Sequence, residues 1–485
     1  MDYYIGIDIG TSSTKAVAFS ITGQVMAQQA MGYPILHPQP DYSEQQPTVI
    51  LAAVIYCLEQ LAKQLPQHQP VLISFSAAMH SLILIDQQNN PLTNCIIWAD
   101  NRASEIADKL KDTELGKALY QSTGVPIHAM SPLCKLRWFT QHQAAQLLQT
   151  SKCIGIKEFI WYQLFKKYLV DTAIASATGL LQTDNLQWNR EALAYAGIAT
   201  TQLSALVPTT HIEYLPAQNS ANISQRLCAF TNTAFVIGSS DGALANLGTG
   251  AMAAGAMAVT VGTSSAVRVV TNKPITDMHM RSFCYHLSGG NYIIGGASNN
   301  GAVVLQWLKE NILQNTGSYS SFLGMAETIV PGSNGLLFLP YILGERAPLW
   351  NSSARGVFWG LHISHGTAHM VRAAMEAVIF NIYSIGKIII AQQAITTIYA
   401  NGGFAECSFW VQLLADTFNL PVFVPVVEES SALGAVMIGK QALSITSQFN
   451  LTQGKYYQPN LTHHHIYVQQ AEKMERLYAL VRSEF

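Results

Sequence analysis

Charge is scarce in this chain: Asp, Glu, Lys and Arg make up 12% of its 485 residues, and the net charge is −2. No basic run stands anywhere along it. An electrostatic grip on nucleic acid or on an anionic membrane surface is therefore disfavoured. Cysteine is thin too. The seven residues (57, 95, 134, 153, 228, 284, 407) are scattered, odd in number and never spaced C-x-x-C. That argues against a disulfide scaffold and structural zinc, and it fits a reducing compartment. The first residues, MDYYIGIDIG, lack the basic region and apolar stretch of a secretory signal, so none is expected. Residues 242–267 carry no charge and are long enough to span a bilayer. They are nevertheless Gly/Ala-rich, hold an Asn and a Thr, and lack flanking Trp or Tyr, so no transmembrane helix is expected. What abounds is apolar: 49% of the residues are hydrophobic, which excludes a disordered chain. At this length two or more domains are expected.

The strongest internal signal is an echo. YIGIDIGTSSTKAVAF (4–19) and AMAVTVGTSSAVRVV (256–270) are β-rich runs broken by the same tetrapeptide, GTSS. Each reads as strand, tight Gly-led turn, strand. One such unit per half predicts two similar domains, 1–246 and 247–485, rather than a solenoid. Between and after the hairpins, apolar strands such as 71–77, 234–238, 397–403 and 421–426 alternate with helical stretches at 48–65, 103–119, 408–418 and 429–443. A further helix starts near His369. The class is α/β.

Several constellations could carry chemistry. In IGIDIG, alternation puts Ile5, Ile7 and Ile9 on one face and Gly6, Asp8 and Gly10 on the other. A strand carboxylate between glycines sits where a ligand can approach, and the small hydroxyl turn after it suits phosphate oxygens. An ordinary hairpin with a solvated Asp is the plain alternative. GSSDG (238–242) has two sharp readings: a nucleophile elbow with Ser240 attacking an acyl group, or Asp241 as general base beside a nucleotide. A simple helix cap is the plain one. GAVMIGKQ (434–441) has P-loop spacing, but Gln441 replaces the metal-binding hydroxyl and the interior is helical and apolar. GTGAMA (248–253) lacks a preceding strand for a dinucleotide site. His362, His365 and His369 straddle a loop and a helix start without acidic support, and His463 to His465 read as exposed; no metal site is expected at either.

DIGTSSTKA, the Asp241 segment, VGTSS, NGGFAECSFWVQLLAD and SSALGAV stand in the order of the phosphate, connecting and adenosine motifs of the actin-like ATPase superfamily. WADNR (98–102), LPYILGERAPLW (339–350) and RGVFWGL followed by HMVRAAMEA resemble the FGGY carbohydrate kinases specifically, and KEF (157–159) and 171–179 have counterparts there. FSAAMHSLI (75–83) is most similar to the gluconate kinases of that family, although Ala78 stands where xylulose kinases usually carry Gln.

The resemblance implies two actin-like (ribonuclease H-like) domains with ATP and sugar in a cleft between them. It implies ATP phosphates against Gly10, Thr11, Ser12 and Ser13 and against Gly262, Thr263 and Ser264, Mg²⁺ at Asp8, and adenosine at Gly402, Gly403 and Phe404. Asp241 would be the base. Met79, His80, Trp98, Asp100 and Arg102 would hold the sugar, with Arg102 the candidate for a sugar carboxylate. The implied reaction is phosphorylation of a primary hydroxyl of D-gluconate, in the cytoplasm, with a small-molecule sugar acid or sugar and a second copy of the chain as partners. A ketopentose kinase of the xylulose type is the runner-up. An acyl hydrolase using Ser240 and a nucleotide-driven switch or filament protein are the readings from other classes.

Overall fold

The computed structural model describes residues 2–216 and 221–485. Two compact units emerge, and neither is a continuous stretch of chain. The first takes the residues up to Gly250 together with Thr271–Ile293 and Val427–Leu451. The second takes Ala251–Val270, Ile294–Val426 and Thr452–Phe485. The Ser430–Ala442 helix, which follows the expected 246/247 boundary in chain order, packs with the first unit.

Six strands form the sheet of the first unit: β1 (Asp2–Ile9), β2 (Ser13–Ser20), β3 (Val25–Gly32), β4 (Gln69–Ala77), β5 (Ile212–Glu213) and β6 (Ala234–Ser240), in the order β5-β6-β4-β1-β2-β3. The first three form an antiparallel meander, and β4 runs parallel to both β1 and β6. Ile5, Ile7 and Ile9 point into a core shared with the Pro47–Gln64 helix, whose buried stripe includes Ile50, Val54, Leu58 and Leu61. That is the face the alternation assigned them.

The opposite face of β1 carries Gly6 and Asp8, and here backbone meets backbone. A Cβ on Gly6 would stand 2.1 Å from the Ala432 carbonyl oxygen. One on Gly434 would stand 2.0 Å from the Leu244 carbonyl, and one on Gly248 1.9 Å from that of Ser430. Three glycines thus let the Asp241–Gly248 helix, the Ser430–Ala442 helix and β1 approach to a distance that no side chain permits. This contact explains why residues 430–442 leave the second half of the chain for the first unit. The uncharged stretch 242–267 resolves into most of the first of these helices and, after a turn, a strand.

In the second unit, β7 (Ala256–Val261), β8 (Ser265–Thr271), β9 (Asn291–Ser298), β10 (Thr397–Asn401), β11 (Val422–Pro425) and β12 (Gly454–Tyr457) lie in the order β9-β8-β7-β10-β11-β12. β7 and β8 are antiparallel, and β10 runs parallel to β7, so the GTSS hairpin repeats as expected. The Thr367–Ile390 helix is apolar and long enough to cross a membrane, but 83% of its most apolar window is buried inside the protein. It is a core helix, with the Arg372–Glu376 ion pair buried along it.

Gly6→Ala and Gly262→Ala make a controlled pair, because the first added methyl meets backbone and the second meets nothing within 4 Å. Gly6→Ala is expected to cost about 2–3 kcal/mol as overpacking. Gly262→Ala should stay within about 0.5 kcal/mol of the parent, as an added group that meets no neighbour does. Urea midpoints of the two variants check this.

Candidate functional site

The first GTSS turn is built by its carbonyls. Gly10 O accepts from the Tyr33 hydroxyl (2.6 Å), Thr11 O from Gln45 Nε2 (2.6 Å), Ser12 O from Tyr33 N (3.1 Å) and Ser13 O from Gly10 N (3.0 Å). With every carbonyl of the turn held by protein donors, an approaching anion meets no unengaged carbonyl there. Ser12 is exposed, and Thr11 Oγ1 accepts from Trp98 Nε1 at 2.8 Å. Trp98 therefore stands directly on this turn.

The second turn repeats the device with different donors. Gly262 O accepts from Ala302 N (2.8 Å), Thr263 O from Gly301 N (3.1 Å) and Ser264 O from Gly262 N (2.9 Å). Behind it stands Glu345, fully buried. Its carboxylate accepts from the side chains of Ser298, Asn300 and Asn381 and from the amides of Asn299 and Arg346. Glu345 thus fixes residues 298–300, and the next residues clamp Gly262 and Thr263. The sequence put GERAPLW in a resemblance but gave this glutamate no role.

Asp8 and Asp241 are brought into electrostatic range. Asp8 Oδ1 accepts from Ser76 Oγ at 2.6 Å, and Ser76 sits beside it on β4. Burial, then the negative charge of Asp241, pushes the Asp8 pKa up to about 6; Glu429 adds to this, while the Ser76 hydrogen bond and Lys15 oppose it. Glu429 pairs with Lys15 at 2.5 Å and adopts φ 57°, unusual for a residue with a side chain. Asp241 opens its helix, with Oδ1 accepting from Gly242 N at 2.6 Å. Two residues upstream, Ser239 O accepts from Lys157 Nζ at 3.1 Å, and that lysine forms a buried 2.6 Å ion pair with Asp171. Ser240 is only 1% exposed, so its hydroxyl is not presented as the elbow reading requires.

The residues expected around a sugar divide. His80 is buried in a left-handed backbone conformation (φ 67°), its Nδ1 2.7 Å from Ala177 O and its ring edge-on to Tyr285. Met79 packs partly against Val170, Ile174 and Leu181. Asp100 and Arg102 differ from expectation. Asp100 is fully buried and accepts from Ser43 N, Arg102 N, Arg102 Nε and Arg102 Nη2. Arg102 also bonds Glu44 at 2.5 Å and lies 3.8 Å over the Tyr42 ring. The pair is occupied holding residues 42–44 against 98–102, so neither offers the open fork that a sugar carboxylate needs.

Phe404 also departs from expectation. Its ring is 1% exposed and packs edge-on to Trp410, so it cannot stack on a base. Gly402 and Gly403 fit better: Gly402 (φ 92°) approaches Val261 O too closely for any side chain, and Gly403 faces open space.

The histidine clusters behave differently from each other. His362, His365 and His369 are used in turn and cap hydrogen bonds, and among the described residues no group of three or more metal-ligating side chains exists. His463 and His464 are half-buried rather than free at the surface: His463 pairs with Asp416 at 2.9 Å, and His464 bonds the Thr417 carbonyl.

Arg102→Gln should leave two buried carboxylates short of their cation. A loss of about 3 kcal/mol is expected, measured as a lower denaturation midpoint before any change in catalysis is interpreted.

The sequence matches the N-terminal domain of the FGGY family of carbohydrate kinases over residues 3–248 and its C-terminal domain over 257–443. A gluconokinase of Bacillus subtilis (strain 168) is 44% identical over 459 residues, covering 92% of this chain and 89% of the relative. Among solved structures, a gluconate kinase from Lactobacillus acidophilus superposes with a TM-score of 0.94 at 33% identity, covering 99% of this chain and 98% of the other. A ligand-bound xylulose kinase from the same organism gives the same TM-score and identity, covering 99% of both chains. Two actin-like α/β domains, a repeated GTSS hairpin and Asp241 at the head of a helix agree with these likenesses: the chain belongs to the FGGY family of carbohydrate kinases and is a sugar phosphotransferase.

Proposed function

We propose that the enzyme transfers the γ-phosphoryl group of ATP to the terminal primary hydroxyl of D-gluconate. The observation that carries the chemistry is the Asp8–Asp241 pair, with Asp241 at a helix start whose backbone is braced by Lys157. Asp241 accepts the hydroxyl proton as the oxygen attacks phosphorus in line, and positioning supplies most of the rate. The turns Gly10–Ser13 and Gly262–Ser264 each receive phosphate oxygens, since their carbonyls are already engaged. Gly402 and Gly403 leave room for adenosine. Met79, His80 and Trp98 line the sugar, and Arg102 with Asp100 supports them from behind.

Mg²⁺ fits Asp8. The carboxylate is held by Ser76 and crowded by the charges of Asp241 and Glu429, which a divalent cation relieves. When bound, the ion offsets charge on the transferred phosphoryl. A cytoplasmic location accords with this use of ATP.

Gluconate rather than xylulose is favoured by the 44% identity to a gluconokinase, because the two Lactobacillus structures fit equally well and do not discriminate. Comparing kcat/KM for gluconate, xylulose, ribulose and glycerol tests the substrate. Gluconate should lead, and a tenfold preference for xylulose, about 1.4 kcal/mol in the transition state, would overturn it.

Asp241→Asn keeps the shape and removes the base. It should lower kcat by roughly 10²–10⁴-fold with ATP affinity retained; near-native turnover would remove Asp241 from the role. Gly262→Val places bulk in open space and should raise the KM for ATP while sparing that for the sugar. Unchanged ATP affinity in calorimetry would dismiss the second turn as a phosphate site.

A further inference from the structure

Lys135 is a charged residue with no exposure, on the Pro132–His142 helix. Its Nζ lies 2.7 Å from His80 O, 2.8 Å from Ile97 O and 3.3 Å from Ile96 O. An ammonium has three protons, and three carbonyls receive them. These carbonyls come from two separate segments. One is the turn that holds His80 in its left-handed conformation, which is unfavourable for a residue other than glycine. The other leads directly into Trp98.

Each segment has its own anchors at the other end. Ala78 N bonds Ile9 O at the end of β1, and Leu82 and Ile96 exchange both backbone hydrogen bonds. Those bonds fix the flanks, and Asp100 N also bonds Ile97 O at 3.1 Å, while Lys135 is what ties the His80 carbonyl to the Ile96–Ile97 carbonyls. The helix bearing Lys135 is itself pinned: Leu133 N bonds Thr178 O, one residue from the Ala177 carbonyl that meets the His80 ring. Backbone and ring of His80 are therefore both referred to the same local frame.

We propose that Lys135 is a positioning residue for sugar binding, whose ammonium holds the His80 turn and the Ile96–Trp98 segment in register. The proposal rests on the reading of His80 and Trp98 as sugar contacts. Lys135 touches neither phosphate turn, and its one link to the first runs indirectly through Trp98 Nε1 on Thr11 Oγ1, so its removal acts more strongly on the sugar than on ATP. A lysine that merely filled a polar hole in the core would change stability alone.

The test is steady-state kinetics of the full chain with Lys135→Met, which keeps the length and removes every donor. Thermal melting and ATP calorimetry establish that the variant is folded. The KM for gluconate should rise at least tenfold, the KM for ATP should change less than twofold, and kcat at saturating sugar should fall by less than the KM rises. A folded variant whose gluconate KM stays within twofold of wild type overturns the proposal, as does an equal rise in both KM values. If Lys135→Met does not fold, Lys135→Gln, which retains two N–H donors, is measured the same way. It should show a smaller but selective rise in sugar KM, and native values would overturn the proposal. The wild type separates the two readings: if it prefers another sugar, the gluconate assignment fails, and the same comparison is run with the sugar it does phosphorylate.

Discussion

The first unit depends on one close approach, the glycine-lined contact of β1 with the Asp241–Gly248 and Ser430–Ala442 helices. Backbone contact at about 2 Å from a would-be Cβ leaves no freedom to slide, so the three elements share one register. Asp8 lies two residues from Gly6, Asp241 heads the helix that ends at Gly248, and Glu429 immediately precedes the helix that carries Gly434. Asp8 and Asp241 are thus placed by packing, and Glu429 by packing together with its ion pair to Lys15. Burial, and after it the charge of Asp241, raises the Asp8 pKa, and the contact holds these acids where they are. A like-charged cluster that nothing braced would relax apart.

The scarcity of charge takes on a second meaning inside the protein. A chain with 12% charged residues still buries Asp100, Lys135, Lys157, Asp171, Glu345, Arg372 and Glu376. Each is saturated by partners: Lys135 by three carbonyls, Lys157 by Asp171 and Ser239 O, Glu345 by three side chains and two amides. Burying a charge without partners is far more costly than the pairing recovers, so such groups persist where they fix a geometry. Here Lys135, Lys157 and Glu345 sit behind the His80 turn, the Asp241 corner and the Gly262–Ser264 turn respectively.

Local pattern made much of this legible. Alternation in IGIDIG assigned the faces of β1 correctly, and the repeated GTSS identified both hairpins, because a strand's period and a Gly-led turn are properties of a few adjacent residues. The interleaving of the two compact units was not legible. A boundary at 246/247 follows chain order, whereas the Ser430–Ala442 helix joins the first unit through contacts with β1 and residues 241–248, and nothing local encodes a partner so remote. The buried, engaged state of the Asp100, Arg102 and Phe404 side chains was hidden for a related reason. WADNR and NGGF name the right segments, but whether a side chain faces a ligand or the core depends on Tyr42, Glu44 and Trp410, which stand elsewhere. Glu345 and Lys135 were missed because a buried charge is recognised only by what surrounds it.

The engaged state of Arg102 changes how a sugar acid can be chosen. Three cations belong to the named motifs of the first unit and a fourth stands behind them, and each already has acceptors: Lys15 on Glu429, Arg102 on Asp100 and Glu44, Lys157 on Asp171, and Lys135 on carbonyls. Releasing any of them to a ligand would strand its present partner, at a cost comparable to the gain. On the reading of His80 and Trp98 as sugar contacts, selection would rest on hydrogen bonding at the His80 imidazole and on the Trp98 ring face, since the Trp98 Nε1 proton is already given to Thr11 Oγ1. A site of that kind separates related sugars by leaving a polar group unpaired when the wrong one enters, which is the stronger form of discrimination. It also makes the exact placement of two backbone segments the determinant of specificity, and that placement is what the buried lysine controls.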